Sequence, residues 1–533
     1  MKENSELKKI EKLPKSNKSI LGSILKIIVF IILLFIQVNI MCYEFDYSKG
    51  SYNILLICDF ILKLFSVLWL FIRHDDDAYK ISWILLIFVF GISAIIIYFL
   101  WGNSRLSKKK TDKICKIEND TKKYLHNSPE ILNDFSQKND VLETNEIKYI
   151  QNVCGFYLNY NDRVKYLKNG NIFFEELKKD LKAAKKSIFM EFYIYSKGKL
   201  LTEVVSILKE KAAEGVEVVL IIDSLGSLVT KPKNFIKDLE KSGIKAYIYN
   251  KFSINTSDYI NFRNHKKIVS IDSNISYIAG VNVADEYSNI KEKYGYWKDN
   301  GIKVTGEASF AVQVMLLRDV EIITNISQDY KRYKEENIEK NIDKAQNVNH
   351  DKGFVLCFAD GPHNRKNPME EVYIQSINNS KDYIYIATPY LTMGEAIINN
   401  LMYKARTGVK VNLFVPHIPD KKFVQMIARS RYEELLEAGI QIFEFTPGFL
   451  HAKMLVSDDT KAIVGSANLD FRSLHLNFES MCYISDTGEE IKIKEDFEEM
   501  KKMSTEVKLE VWKKRGIFKR VFEKLISSFS PLV

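Results

Sequence analysis

Hydrophobic positions fall into three regimes along the chain. Between residues 20 and 101 they crowd into nearly continuous apolar stretches, Leu21 to Met41, Asn53 to Ile72 and Ile81 to Trp101. The last carries no charge and is long enough to cross ~30 Å of hydrocarbon as a helix. The middle one holds Asp59 and Lys63, each costing about 3 kcal/mol at a membrane centre. Their i,i+4 spacing lets them pair on one helix face. The pattern predicts two or three transmembrane helices over 20–101, preceded by a basic tail (1–19) and followed by a charged connector (102–165).

From about residue 166 the pattern becomes alternating and repeats itself. FFEELKKDLKAAKKSIFMEFYIY leads to VVSILKEKAAEGVEVVLIID, and about two hundred residues on, EEVYIQSINNSKDYIYIATPYL leads to IINNLMYKARTGVKVNLFVP. Each copy reads as an amphipathic helix, a short apolar strand (Ile188 to Tyr195; Tyr383 to Tyr390), a second helix stopped by glycine (Gly215; Gly408), and a second apolar strand. This alternation predicts two α/β halves, 166–330 and 353–490, with mostly parallel sheets, joined by a polar linker (331–352). The segment 491–533 ends in a basic amphipathic helix around Val511 to Phe529, suited to an anionic lipid surface.

Composition narrows the class. With 46% hydrophobic and 27% charged residues over 533 positions, the chain is not a disordered one. Six scattered cysteines without a C-x-x-C pair speak against a structural metal or redox dithiol. The net charge of +9 is a mild bias toward anionic partners. Its distribution matters more, because lysines from Lys2 to Lys18 and basic residues from Arg105 to Lys116 flank the apolar region on both sides. The positive-inside tendency then favours two crossings and a cytoplasmic body. No small-residue cleavage site follows Leu21 to Met41, so the first stretch reads as a retained anchor.

Each half delivers the same chemical signature: His265-Lys266-Lys267 through Asp272, and His451-Ala452-Lys453 through Asp458, both H-x-K-x4-D. Asn282 in Gly280-Val281-Asn282 and Asn468 in Gly465-Ser466-Ala467-Asn468 follow their histidines at the same interval. With eight histidines, 77 Lys+Arg and 68 Asp+Glu in the chain, fewer than about 0.15 such matches are expected by chance. On an extended segment His and Lys at i and i+2 share a face, so both can address one bound group. Two such faces would surround one phosphoryl group with two imidazoles and two ammoniums, complementary to the charge of an in-line displacement. One imidazole can attack phosphorus while the other protonates the departing oxygen. No metal or cofactor is required. Ser466, Asn282 and Asn468 are candidate substrate contacts. An attacking imidazole needs a partner on its other nitrogen. Glu479 is the candidate for His451 and Asp299 for His265.

These residues, with the segments NFRNHKKIVSID, YIAGVNVADEY, ATPYL, GFLHAKMLVSD and VGSANLDFRSLHLNFE, resemble the phospholipase D superfamily and, within it, the bacterial cardiolipin synthases. His265, Lys267, Asp272, His451, Lys453 and Asp458 match the six residues of the two family motifs. The resemblance implies a duplicated phospholipase D-like fold with a pseudo-two-fold site and a membrane-bound, multi-pass enzyme. It further implies phosphatidyl transfer between two phosphatidylglycerol molecules, giving cardiolipin and glycerol through a phosphatidyl-histidine. Anionic membrane lipids are then the expected partners, and nucleic acid is not. By similarity the N-terminal histidine is the nucleophile, although the duplication itself does not assign the roles. A hydrolytic phosphodiesterase of the same fold, including a tethered nuclease, is the alternative. Lys298, Asn300 and Ala279 depart from the family's usual Arg, Thr and Gly, which bears on acceptor preference.

Overall fold

The structure is a computed structural model, and it describes residues 52–161, 163–251, 261–342 and 353–532. The basic tail and the stretch Leu21 to Met41 lie outside the described residues. The chain divides into two compact units, one from residues up to 104 with 251–261, the other from 105–250 with 262–533.

In the first unit the middle apolar stretch forms one helix, Tyr52–Ile72, in which Lys63 and Asp59 pair at 2.6 Å as their spacing predicts. Ile81 to Trp101 does not form a single helix. Asp77–Phe90 and Ile92–Trp101 are separate helices, broken at Gly91, whose φ of 50° lies outside the right-handed helical region. Among the described residues no helix is long and apolar enough to cross a membrane, which corrects the expected span there. Tyr98 makes T-shaped contacts with Trp69 and Trp83 inside the unit, while Phe60, Phe65, Phe71, Phe88 and Phe99 are exposed.

The second unit contains both repeats. In the first half Asn169 caps the helix Gly170–Ala183 by accepting from the N–H of Ile172, and Phe173, Phe174, Leu177 and Leu181 on its inner face are buried. They cover a seven-stranded sheet ordered Arg163–Leu167, Gly301–Thr305, Ile275–Ala279, Ile268–Ile271, Ser187–Phe192, Glu217–Asp223 and Lys245–Tyr249. The second half repeats this core in a nine-stranded sheet. The expected helix-strand units form in both copies, with Gly215 and Gly408 in left-handed conformation after the helices Lys199–Ala213 and Glu395–Arg406.

The sheets are not mostly parallel. Among the described residues of the seven- and nine-stranded sheets, only Ser187–Phe192, Glu217–Asp223 and Lys245–Tyr249, and their counterparts Tyr383–Ala387, Lys410–Pro416 and Gln441–Phe445, run parallel. Each signature motif runs directly into a hairpin, Ile268–Ile271 with Ile275–Ala279 and Met454–Ser457 with Lys461–Gly465, and a hairpin pairs antiparallel by construction.

Three expected boundaries also change. The charged connector is part of the body: its helices Lys108–Thr121, Pro129–Lys138 and Val141–Cys154 bury Ile114, Phe135, Ile147 and Ile150. The linker begins as a helix, Tyr330–Ile342, with Tyr330, Tyr333 and Asn337 buried. The tail is not one helix but Glu489–Lys502, a short strand Ser504–Glu506, Leu509–Lys513 and Ile517–Ser527. Its last helix is amphipathic as expected, with Ile517, Phe518, Val521, Phe522 and Leu525 exposed.

Candidate active site

The two histidines sit on short extended segments just ahead of their hairpins, and each segment pairs with the other half. The N–H of His265 donates to the carbonyl of Phe478 at 2.9 Å, and the N–H of Phe478 donates to that of Arg263 at 2.9 Å. Symmetrically, Gly448–Leu450 runs parallel to Tyr296–Lys298, and the N–H of His451 donates to the carbonyl of Lys298 at 2.7 Å.

This crossing decides which carboxylate serves which imidazole. His265 Nδ1 lies 2.8 and 3.0 Å from the Glu479 oxygens, and His451 Nδ1 lies 2.6 Å from Asp299 Oδ2. Glu479 and Asp299 therefore hold imidazoles, but with the pairing opposite to that expected from the sequence. The reason is that Glu479 follows Phe478 and Asp299 follows Lys298, the residues bonded to the other half's histidine segment. Because a carboxylate only accepts, Nδ1 carries the proton in each pair and Nε2 is left as the nucleophilic or proton-accepting atom.

The carboxylates are held in turn. Ser466 Oγ donates to Glu479 Oε2 at 2.5 Å and Asn477 Nδ2 to Oε1 at 3.2 Å. Asp299 accepts from the N–H of Asn300 at 2.9 Å. Burial works to raise both carboxyls, but His265 and Lys267 beside Glu479, and His451 and Lys453 beside Asp299, hold both below the usual range. Burial pushes His265 down, and with Lys453 beside it takes His451 down to about 3. Both shifts favour the neutral imidazole, and an anion between the two rings would favour the imidazolium.

Lys267 and Lys453 are fully buried and fold back toward the carbonyls of His265 and His451. Lys453 Nζ also stands 2.7 Å from His451 Nδ1. Burial lowers Lys267 to about 7 and Lys453 to about 8, partly offset by Glu479 and Asp299.

The geometry corrects two assignments. Asp272 and Asp458 were expected in the catalytic set, yet neither faces the cavity between the histidines. Asp272 accepts from the backbone N–H groups of Lys185, Lys186 and Ser187, and Asp458 from those of Lys381, Asp382 and Tyr383. Each clamps a hairpin tip, where its φ is positive, to the start of the central strand. Ser466, expected to touch substrate, instead supports Glu479. Asn282 and Asn468 do line the cavity. Asn282 Nδ2 donates to the Tyr287 hydroxyl at 2.8 Å and Asn468 Nδ2 to Asp470 at 3.0 Å.

The cavity measures about 420 Å³, and both imidazoles open onto it. Its walls include residues the sequence did not single out: Tyr193, Arg263, Tyr287, Trp297, Tyr390, Asp420, Lys421 and Arg472. Tyr193 meets His265 edge-on at 5.2 Å, and Tyr287 meets His451 in the same way at 5.3 Å. Arg263, Tyr287, Tyr390 and Arg472 fall inside the quoted segments NFRNHKKIVSID, YIAGVNVADEY, ATPYL and VGSANLDFRSLHLNFE, the one signal that pointed near them. Lys298 is not at the cavity. It reaches Asp496 at 2.6 Å, so this departure bears on how the halves are joined, and Asn300 Oδ1 accepts from the N–H of Lys453 at 3.2 Å.

A family model described as the cardiolipin synthase phospholipase D-like domain matches residues 177–295 and 373–501. An uncharacterized protein of Streptococcus mutans is 36% identical over 88% of this chain and 99% of its own length. Cardiolipin synthase 2 of Bacillus anthracis is 30% identical over 87% of this chain and 88% of its own. A cardiolipin synthase of Clostridium perfringens is 33% identical over 85% of this chain and 94% of its own. Among solved structures, the phosphatidylserine synthase of Haemophilus influenzae superposes with a TM-score of 0.52 at 15% identity, covering 73% of this chain and 97% of that one, a likeness of fold.

Proposed function

Because this chain belongs to the cardiolipin synthase family of phospholipase D-like proteins, we propose that it transfers a phosphatidyl group from one phosphatidylglycerol to the hydroxyl of another. It is a phosphatidyltransferase. The observation that carries the reading is a single cavity onto which two imidazoles open, each oriented by a carboxylate from the opposite half.

Nε2 of one histidine attacks the phosphorus of the first lipid. The P–O bond to the glycerol headgroup breaks, and the imidazolium of the other histidine gives its proton to the departing oxygen. The primary hydroxyl of a second phosphatidylglycerol then loses its proton to that same, now neutral, imidazole. Its oxygen attacks phosphorus, the P–N bond breaks and cardiolipin forms, so two phosphatidylglycerols give one cardiolipin and one glycerol. Lys267 and Lys453, buried beside the imidazoles and not on the cavity wall, supply positive charge that counters the charge building on the equatorial oxygens. The exposed apolar side chains of Ile517–Ser527, flanked by Lys519, Arg520 and Lys524, support access to substrate at an anionic lipid surface.

The test is product analysis of the purified, detergent-solubilised protein with labelled phosphatidylglycerol. Labelled cardiolipin with equimolar glycerol is expected. Phosphatidic acid as the sole product would show a hydrolase, and release of nucleotides from nucleic acid without lipid turnover would show a nuclease.

A further inference from the structure

The duplication is broken at two cavity positions. Two residues before its histidine the first half has Arg263 where the second has Phe449, and four residues after its Asn the second half has Arg472 where the first has Glu286. Both differences leave an arginine on the side of His265 with no counterpart on the side of His451. At the end beside His265, Tyr193 packs against the imidazole and its hydroxyl feels both Arg263 and Arg472. At the end beside His451, Tyr287, Trp297 and Phe449 surround the imidazole, and Glu286 is present in place of an arginine. One end carries two arginines, while at the other Glu286 is paired with Lys293 at 3.4 Å and the wall is aromatic.

Arg263 is incompletely used within the protein. It is 2% exposed; its Nε donates to the Phe262 carbonyl at 3.1 Å and its Nη1 reaches Ser224 Oγ at 3.3 Å and Asp223 at 3.4 Å, while Nη2 is buried without a partner. A buried guanidinium nitrogen left unbonded is costly and rare. Asp223 pairs with Nη1 and offsets its charge, but among the described residues no acceptor reaches Nη2. In the same cavity Asn468 Oδ1 and Asn477 Oδ1 are buried acceptors without partners, suited to hydroxyl groups. An unpaired donor of a fixed fork geometry matches a phosphate oxygen.

We propose that Arg263, with Arg472, forms a second anion subsite that binds the phosphodiester of the acceptor lipid, one glycerol bridge away from the phosphate held between the histidines. The inference rests on the transferase reading above. Cardiolipin carries two phosphodiesters, only one of which reacts, and the other arrives with the acceptor. Water and free glycerol lack that group, so the subsite selects a phosphate-bearing acceptor over both.

The experiment compares two fates of one phosphatidyl-enzyme in the full chain, with phosphatidylglycerol micelles and labelled free glycerol. Cardiolipin formed reports transfer to a phosphate-bearing acceptor; label entering phosphatidylglycerol reports transfer to a neutral one. Arg263→Gln and Arg472→Gln are each expected to lower the ratio of cardiolipin to exchange about tenfold or more, with partial recovery in Arg263→Lys. A proportional fall of both products would overturn the inference, since Arg263 would then serve the reacting phosphate or the fold. Where Arg263→Gln fails a thermal melt, Arg472→Gln decides by the same ratio. A wild-type protein giving neither product overturns the transferase reading itself.

Discussion

Glu479 stands 214 positions from His265 in sequence and 2.8 Å from it in space, and the consequence is that neither half contains a complete base. Glu479→Gln keeps the shape but removes the charge that fixes the Nδ1 proton. By analogy with other carboxylate-oriented histidines, turnover should fall by roughly two to four orders of magnitude. Since Glu479 raises the His265 pKa, its removal should also move the pH limb belonging to His265 downward; a loss of turnover with that limb in place would point to misfolding instead. The lysines set the alkaline side. An ammonium with a lowered pKa sheds its proton at lower pH, so kcat/KM should decline as pH rises through about 7 to 8, where Lys267 and Lys453 become neutral. A kcat/KM flat to pH 10 would remove the lysines from the chemistry. At this scale the histidines and lysines were legible because their spacing repeats, and the carboxylates only from their similar places just before apolar strands, Met481 to Ile484 and Ile302 to Val304; the partnership between them was not, since nothing local distinguishes a near carboxylate from a distant one.

The hairpin is the element that turns each motif into a site. Asp272 and Asp458 close the motif in sequence, yet their carboxylates collect backbone N–H groups at the start of Ser187–Phe192 and Tyr383–Ala387. Asp272→Ala should therefore cost roughly 3 kcal/mol of unfolding free energy, the scale of hydrogen bonds to a charged acceptor. Turnover per folded molecule should survive, as read by denaturant melts alongside product assays. Unchanged stability with abolished turnover would restore Asp272 to the reacting set. Helices and core strands could be read from periodicity, because a 3.6-residue or continuous apolar pattern is a local property. Strand direction was misread, because parallel and antiparallel neighbours draw on the same buried residues and differ only in how the chain returns. The break at Gly91 is of the same kind: a glycine inside an apolar run permits a bend without announcing one.

Across the whole molecule the halves depend on one another through buried charge. Lys298 of the first half meets Asp496 of the helix Glu489–Lys502, both about 4% exposed, beside the carbonyl that receives the His451 N–H. Lys298→Met should cost about 3–5 kcal/mol by stranding Asp496, and adding Asp496→Leu should recover most of it, because a buried pair is often replaceable where a buried single charge is not. A double variant as unstable as the single would contradict this. By itself the sequence determined the chemistry of this protein: a duplicated α/β body, two phosphate-directed signatures, and the residue types each contributes. Those follow from composition and spacing, which are written along the chain. Only the tertiary structure decided that each imidazole borrows its carboxylate from the other half, that the motif aspartates brace backbone, and that the two ends of one cavity have different walls. These are contacts between segments far apart in sequence, set by packing and pairing of the two halves, and no local pattern encodes them.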